Sequence, residues 1–320
     1  MLAPETFDYL GAEAFRWTVG GSVFEAVPEI GARLMRWRIA GRDILHWPDT
    51  VAAASEIPFV HGGNPILFPF PARCFDKGEA LHWISPDGRD RFMPMHGLAR
   101  QGKFALSKVD ELGFEAVFCP DDKAREAYPF DYLFSVAYRF TPNTFSCELI
   151  LENHDRQPIP WSAGHHFYFK MPLMDGQANA AHRVQIPATR ACFANLATKG
   201  KLVPLPPFKP DEGLDAPQLA DAVIHYGLTS NEARLYVDTE GGRREITVCH
   251  GEKCPPPSEF AFVTWSPALE GPFYCLEPWM GPSNATEHQV GLHWVSPSRR
   301  CSHVVTVKIS RRPILSGKAK

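Results

Sequence analysis

The 320-residue chain lacks the signals that would point to a nucleic acid, a membrane or a resident metal. Its formal charge is only −3, from 33 basic and 36 acidic residues, so no basic face for nucleic acid or an anionic membrane is implied. No apolar run approaches the roughly 18 to 20 residues that a membrane-spanning helix needs. The opening stretch MLAPETFDYLGAEAF has no positive segment followed by an apolar core. A secretory leader is therefore not expected, and the cytoplasm is the expected compartment. The eight cysteines include no Cys-x-x-Cys pair, and the tightest-spaced two, Cys249 and Cys254, have no second pair nearby. They read as reduced thiols rather than a disulfide framework or a zinc site, which wants four converging ligands. No His-x-His occurs either, which argues against a metal-dependent cupin-like enzyme. Internal repeats of fixed period are also missing.

Long helices are scarce, because 30 prolines and 24 glycines punctuate the chain. What remains is a period of two. Met35, Trp37 and Ile39 alternate with Arg36 and Arg38 ahead of the turn at Gly41-Arg42. Phe134, Val136, Tyr138 and Phe140 form one apolar face. After Thr141-Pro142-Asn143-Thr144 the pattern resumes at Phe145, Cys147, Leu149 and Leu151, which predicts a hairpin. Val305, Val307 and Ile309 repeat it near the end. A helical turn or two is expected over Asp121–Ala127, and an irregular proline-rich loop from Lys201 to Asp215. The composition is that of a globular protein, and no stretch reads as a linker. The expectation is one all-β domain over residues 1–320, with its core between about residues 15 and 312, built as an antiparallel sandwich.

Three segments look unlike packing. In Gly62-Gly63-Asn64-Pro65-Ile66-Leu67-Phe68-Pro69-Phe70-Pro71-Ala72-Arg73, glycines and prolines interrupt bulky apolar residues. That is either a buried loop packed by Phe68 and Phe70, or a rigid loop presenting Asn64 and Arg73 to a polar ligand. Further on, His96 stands in Met95-His96-Gly97-Leu98-Ala99-Arg100, where it could equally be a satisfied core histidine. In Gly164-His165-His166-Phe167-Tyr168-Phe169, an extended backbone sends His165 and His166 to opposite faces, so only one can enter a given pocket. In Phe273-Tyr274-Cys275-Leu276-Glu277-Pro278-Trp279, a carboxylate sits inside an apolar run. Such a group either pairs with a buried arginine or has a raised pKa suited to a general base. Trp161, Tyr168 and Trp279 flank these positions and could stack on a sugar or simply fill the core.

Taken in order, Pro28–Leu34, GGNPILFPFPAR, MHGLAR, GHHFYF and CLEPWMGPSNA resemble the aldose 1-epimerase (galactose mutarotase-like) family over nearly the whole chain. The resemblance implies a large antiparallel β-supersandwich with few short helices, and a small sugar as partner. It implies an isomerase that opens and recloses the pyranose ring of an aldose with no cofactor or metal. It implies Glu277 as catalytic base, His166 as acid, His96 as a third catalytic group, and Arg73 as a contact to sugar hydroxyls. An aspartate that binds substrate is implied between His166 and Glu277, with Asp221 the better match and Asp238 its competitor. Phe167 stands where the family commonly has proline, which bears on pocket shape. Two other functions stay open. One is a hexose-6-phosphate 1-epimerase, for which Arg89, Arg91, Arg100 and Lys170 could supply cations. The other is a carbohydrate-binding or regulatory protein without catalysis. The oligomeric expectation is a monomer or homodimer.

Overall fold

A computed structural model of the chain describes residues 3–206 and 209–312. The period-two faces become strands. Arg33–Ile39 is one, and Tyr132–Thr141 with Thr144–Asn153 form the predicted hairpin, in register from Tyr132↔Asn153 to Thr141↔Thr144. Every pairing between named strands is antiparallel.

Three sheets carry the fold, with five, nine and eight strands. The five-stranded sheet runs through Glu5–Tyr9, Ala12–Val19, Ser22–Val27, Arg33–Ile39 and Arg42–Asp43. It packs on the nine-stranded sheet through aromatic pairs, such as Phe24 on Phe140 at 4.3 Å and Trp17 on Phe114 at 5.6 Å. At the centre of the nine-stranded sheet, Thr144–Asn153 pairs Arg300–Arg312, which pairs Gly242–His250. The eight-stranded sheet contains Val223–Leu228, Ala261–Trp265, Phe273–Trp279 and Gly164–His165 side by side, and Tyr168–Lys170 also pairs Phe273–Trp279. One hydrophobic core, from Phe15 to Ile309, draws on all three sheets. The architecture is the all-β supersandwich expected from the sequence.

The short helix Asp122–Ala127 begins where Asp121 accepts a bond from the Ala124 N–H at 2.8 Å, an N-cap of the usual kind. The region from Lys201 to Asp215 contains two small strands, Val203–Pro204 and Asp211–Gly213, paired to Ala188–Phe193 and Arg183–Gln185. No helix among the described residues is long and apolar enough to cross a membrane.

Two glycines seat the loops that lead to the site. Gly63 has φ +62°, and a Cβ there would run into the Leu34 carbonyl oxygen. Gly97 has φ +76°, and a Cβ there would strike the Phe68 carbonyl. The buried Arg33 guanidinium donates to the carbonyls of Val60 (2.6 Å) and Gly62 (2.9 Å), fastening the chain just before Gly63 and Asn64.

Candidate active site

Alternation around the double histidine places the site. His165 stacks on Phe167 at 5.2 Å, while His166 stacks on Tyr168 at 4.4 Å with the rings 4° from parallel. The odd residues enter the core, where the His165 ring lies 6.5 Å from His303. The even residues share a face with Glu277, since Tyr168 is directly opposite Cys275 across the strand pair. The expectation that only one of the two histidines can serve a given pocket holds.

Glu277 is 2% exposed and has no arginine or lysine partner among the described residues. Its one charged-type neighbour is His166, with Nε2 at 3.5 Å from Oε1, and Oε2 has no hydrogen-bond partner. The alternative of a structural ion pair with a buried arginine is therefore not realised. Arg33, the buried arginine of this region, donates from Nη2 to the Val60 and Gly62 carbonyls and pairs with no carboxylate among the described residues. Burial pushes the Glu277 carboxyl well above the usual carboxylate range, opposed only in part by the Trp279 indole. Burial likewise holds the His166 imidazole well below its ordinary value, helped by His96 and Arg100.

His96 joins them, its ring 5.3 Å from that of His166 and 6.3 Å from that of Trp279. Its backbone has φ +68°, a left-handed conformation that is uncommon for a residue with a side chain and is often found at functional sites. The conformation is held by a bond from its N–H to the Ala72 carbonyl at 2.7 Å. The Ala72 N–H in turn donates to His96 Nδ1 at 3.1 Å. Burial, with Arg100 and Arg73 nearby, lowers its pKa to about 3. A neutral imidazole that accepts at Nδ1 must carry its proton at Nε2, so His96 is a fixed N–H donor.

Asn64, expected to face a ligand, is wholly buried and plays another part. Its amide donates to the Tyr138 hydroxyl at 2.7 Å and faces His165 Nδ1 at 3.1 Å. Its carbonyl oxygen accepts from the His166 N–H at 3.3 Å, alongside the Pro65 carbonyl at 3.2 Å. It braces the two histidines from behind. Arg73 is half-buried with no hydrogen bond or ion pair among the described residues, and it lies close enough to His96 to depress its pKa. Asp221 is exposed just before the strand Val223–Leu228, its carboxylate accepting from the Ala222 N–H at 2.7 Å. Asp238 belongs to the nine-stranded sheet and is held by Arg243 at 2.7 and 2.9 Å, away from Glu277. Trp161 is a core residue, fully buried.

Sequence reasoning passed over three neighbours. His61 stacks on Tyr168 at 5.9 Å, and Trp265 stands edge-on to His61, Tyr168 and His166. Cys275 is fully buried two residues before Glu277. The period of two could have revealed Cys275 and Trp265, whereas nothing local marks His61.

A family model for aldose 1-epimerase matches residues 21–297. The chain belongs to the aldose 1-epimerase family. Solved structures agree on the fold. The Slr1438 protein of Synechocystis sp. PCC 6803 superposes with a TM-score of 0.76 at 20% identity, covering 98% of this chain and 99% of that one. A galactose mutarotase-like protein from Clostridium acetobutylicum gives 0.77 at 17% identity, over 97% and 98% of the two chains. A galactose mutarotase related enzyme from Lactobacillus acidophilus gives 0.69 at 17%, over 94% and 98%. Comparison with curated protein sequences gives no match. His166 stands directly beside the buried Glu277 carboxylate, with Cys275 on the same strand face and His96 behind the His166 ring.

Proposed function

We propose that this member of the family is a working mutarotase that interconverts the α and β anomers of an aldohexose. The observation that carries the reading is a buried Glu277 whose one partner within ion-pair distance, among the described residues, is the His166 imidazole, 3.5 Å away. The two groups act as a dyad that holds a single proton. With the proton on His166, the Glu277 carboxylate takes the proton of the C1 hydroxyl while the imidazolium gives its own to the ring oxygen. The C1–ring-oxygen bond breaks and C1 becomes an aldehyde. The dyad is left in its neutral arrangement, which burial favours. The aldehyde rotates about C1–C2, and the same transfers in reverse close the ring as the other anomer. His96 donates its Nε2 hydrogen to the oxygen that becomes the carbonyl, where charge develops. Arg73, without a protein partner among the described residues, is the hydroxyl contact, and Asp221, just before a strand two over from that of Glu277, remains the candidate aspartate. No step in this scheme uses a metal or an organic cofactor.

Glu277→Gln should lower kcat by roughly two orders of magnitude or more with the fold intact, and His166→Asn should do likewise. Full activity of folded Glu277→Gln, followed by polarimetry, would sink the assignment. A phosphorylated hexose is the second reading, favoured by the unpaired Arg73 beside His96. Of the other cations once available for a phosphate, Arg91 is held by Asp87 at 2.6 Å and Arg89 approaches the same carboxylate at 3.8 Å. Arg100 spends its Nε on the Pro58 carbonyl at 2.9 Å. Rates with a free hexose and its 6-phosphate, each for the native chain and Arg73→Ala, separate the two substrates.

A further inference from the structure

Cys275 has no part in the proton transfers, yet it shares a strand face with Glu277 and lies opposite Tyr168, the ring stacked on His166. One ligand atom from each of His166, Cys275 and Glu277 falls within 4.8 Å of the other two. Among the described residues no other group of three histidine, cysteine, aspartate or glutamate side chains converges in this way. Two ligands of a tetrahedral zinc ion bound at about 2.0–2.1 Å stand roughly 3.3 Å apart. His166 Nε2 and Glu277 Oε1, at 3.5 Å, are already near that spacing. The sulfur needs a shift of about an ångström at most to complete the set. His166 Nδ1 is buried without a hydrogen-bond partner, and Glu277 Oε2 has only the nearby Trp279 indole and no formed bond, so the cluster has unspent polar capacity. An imidazole, a thiolate and a carboxylate suit a borderline-soft ion, whereas magnesium and calcium select all-oxygen shells. Three protein ligands leave the fourth tetrahedral position for water or a sugar hydroxyl.

We propose that His166, Cys275 and Glu277 form a reversible site for zinc or a similarly thiophilic divalent ion, whose occupancy withdraws the acid and the base from the sugar. Binding releases the Cys275 thiol proton and the proton of the His166–Glu277 dyad to the buffer, and no electron moves. The inhibitory consequence rests on the proposed mutarotase activity; the binding itself does not.

Cadmium titration of the full chain, followed by the ultraviolet thiolate-to-metal band, tests the site directly. The exposed Cys119 and Cys254 contribute equally to every variant, so the band is read as the native protein minus Cys275→Ser. The expected result is a difference band that saturates at one equivalent. Glu277→Gln, which keeps the thiol but removes a ligand, should bind at least about tenfold more weakly. Zinc should abolish mutarotation by the native chain, EDTA should restore it, and Cys275→Ser should need at least about tenfold more zinc for the same inhibition. An active enzyme without the difference band, or with equal zinc sensitivity in Cys275→Ser, overturns the site and leaves the proposed function standing. The band in a protein without mutarotase activity supports the site and sinks the function.

Discussion

Replacing Asn64 separates a residue that would touch a ligand from one that holds His166, the proposed acid. Asn64 is fully buried, its amide hydrogens directed at the Tyr138 hydroxyl and His165 Nδ1 and its oxygen at the His166 N–H. A buried hydrogen bond contributes about 1 kcal/mol net, and each polar group left unpaired inside costs about 1–3 kcal/mol. Asn64→Leu keeps the volume and removes all three bonds. The Pro65 carbonyl still serves the His166 N–H, at 3.2 Å, but the tyrosine hydroxyl and the His165 nitrogen lose a partner each. The sum is a loss of about 3–5 kcal/mol, which lowers Tm on the order of 10 °C for a chain of this size. Because the His166 backbone loses one of two anchors, kcat should fall roughly 10- to 100-fold, as small displacements of catalytic groups do. KM should move much less. Calorimetry and polarimetric kinetics on Asn64→Leu and Asn64→Ala measure all three quantities. An unchanged Tm and kcat with KM raised tenfold would refute the bracing role and restore the ligand contact suggested by the sequence.

The remaining predictions concern charge. His165 and His250 are fully buried, with pKa values lowered to about 3 and about 4. The unfolded chain binds a proton at each near pH 6.5 and the fold does not, so stability falls as pH drops below about 6.5. Each site removes about 2 kcal/mol by pH 5, while most carboxylates are still ionised. Urea midpoints at pH 7.5 and pH 5 that coincide would contradict this. His96→Ala should cost about 10²–10³ in kcat. Since His96 stays neutral down to about pH 3, the residual activity should keep the native acid limb of the pH–rate profile; a limb that vanishes with His96 would assign the titration to it. Asp238→Ala should leave KM unchanged and cost under about 1 kcal/mol, because its exposed pair with Arg243 lies on the other sheet. Asp221→Ala is the variant expected to raise KM, and equal KM values for the two would remove Asp221 from the site.

Much of the fold was legible because strand periodicity is local. Phe134–Phe140 and Phe145–Leu151 carry their hairpin in the sequence itself, and Val305–Ile309 its inward face. The buried carboxylate was legible for a related reason, since Glu277 interrupts an apolar run, and alternation alone divided His165 from His166. Pairings between distant segments were not readable. Val203–Pro204 and Asp211–Gly213 look like loop because their partners, Ala188–Phe193 and Arg183–Gln185, lie elsewhere in the chain. The partners of Asn64 were hidden for the same reason: Tyr138 and His165 are 74 and 101 residues away. A polar residue in a Gly-Gly-x-Pro loop looks the same in sequence whether it faces a ligand or a buried tyrosine. His61 took its place against Tyr168 through tertiary packing that no local pattern announces.

The central claim is that Glu277 and His166 together open a sugar ring. It is tested most directly by polarimetry of freshly dissolved α-anomers across a panel of aldohexoses and their 6-phosphates, with catalytic amounts of the native chain and of Glu277→Gln. The account predicts a faster approach to an unchanged equilibrium rotation with at least one sugar, lost at least about a hundredfold in the folded Glu277→Gln variant. Saturable sugar binding with no acceleration for any member of the panel would contradict it and leave a carbohydrate-binding protein on a mutarotase fold.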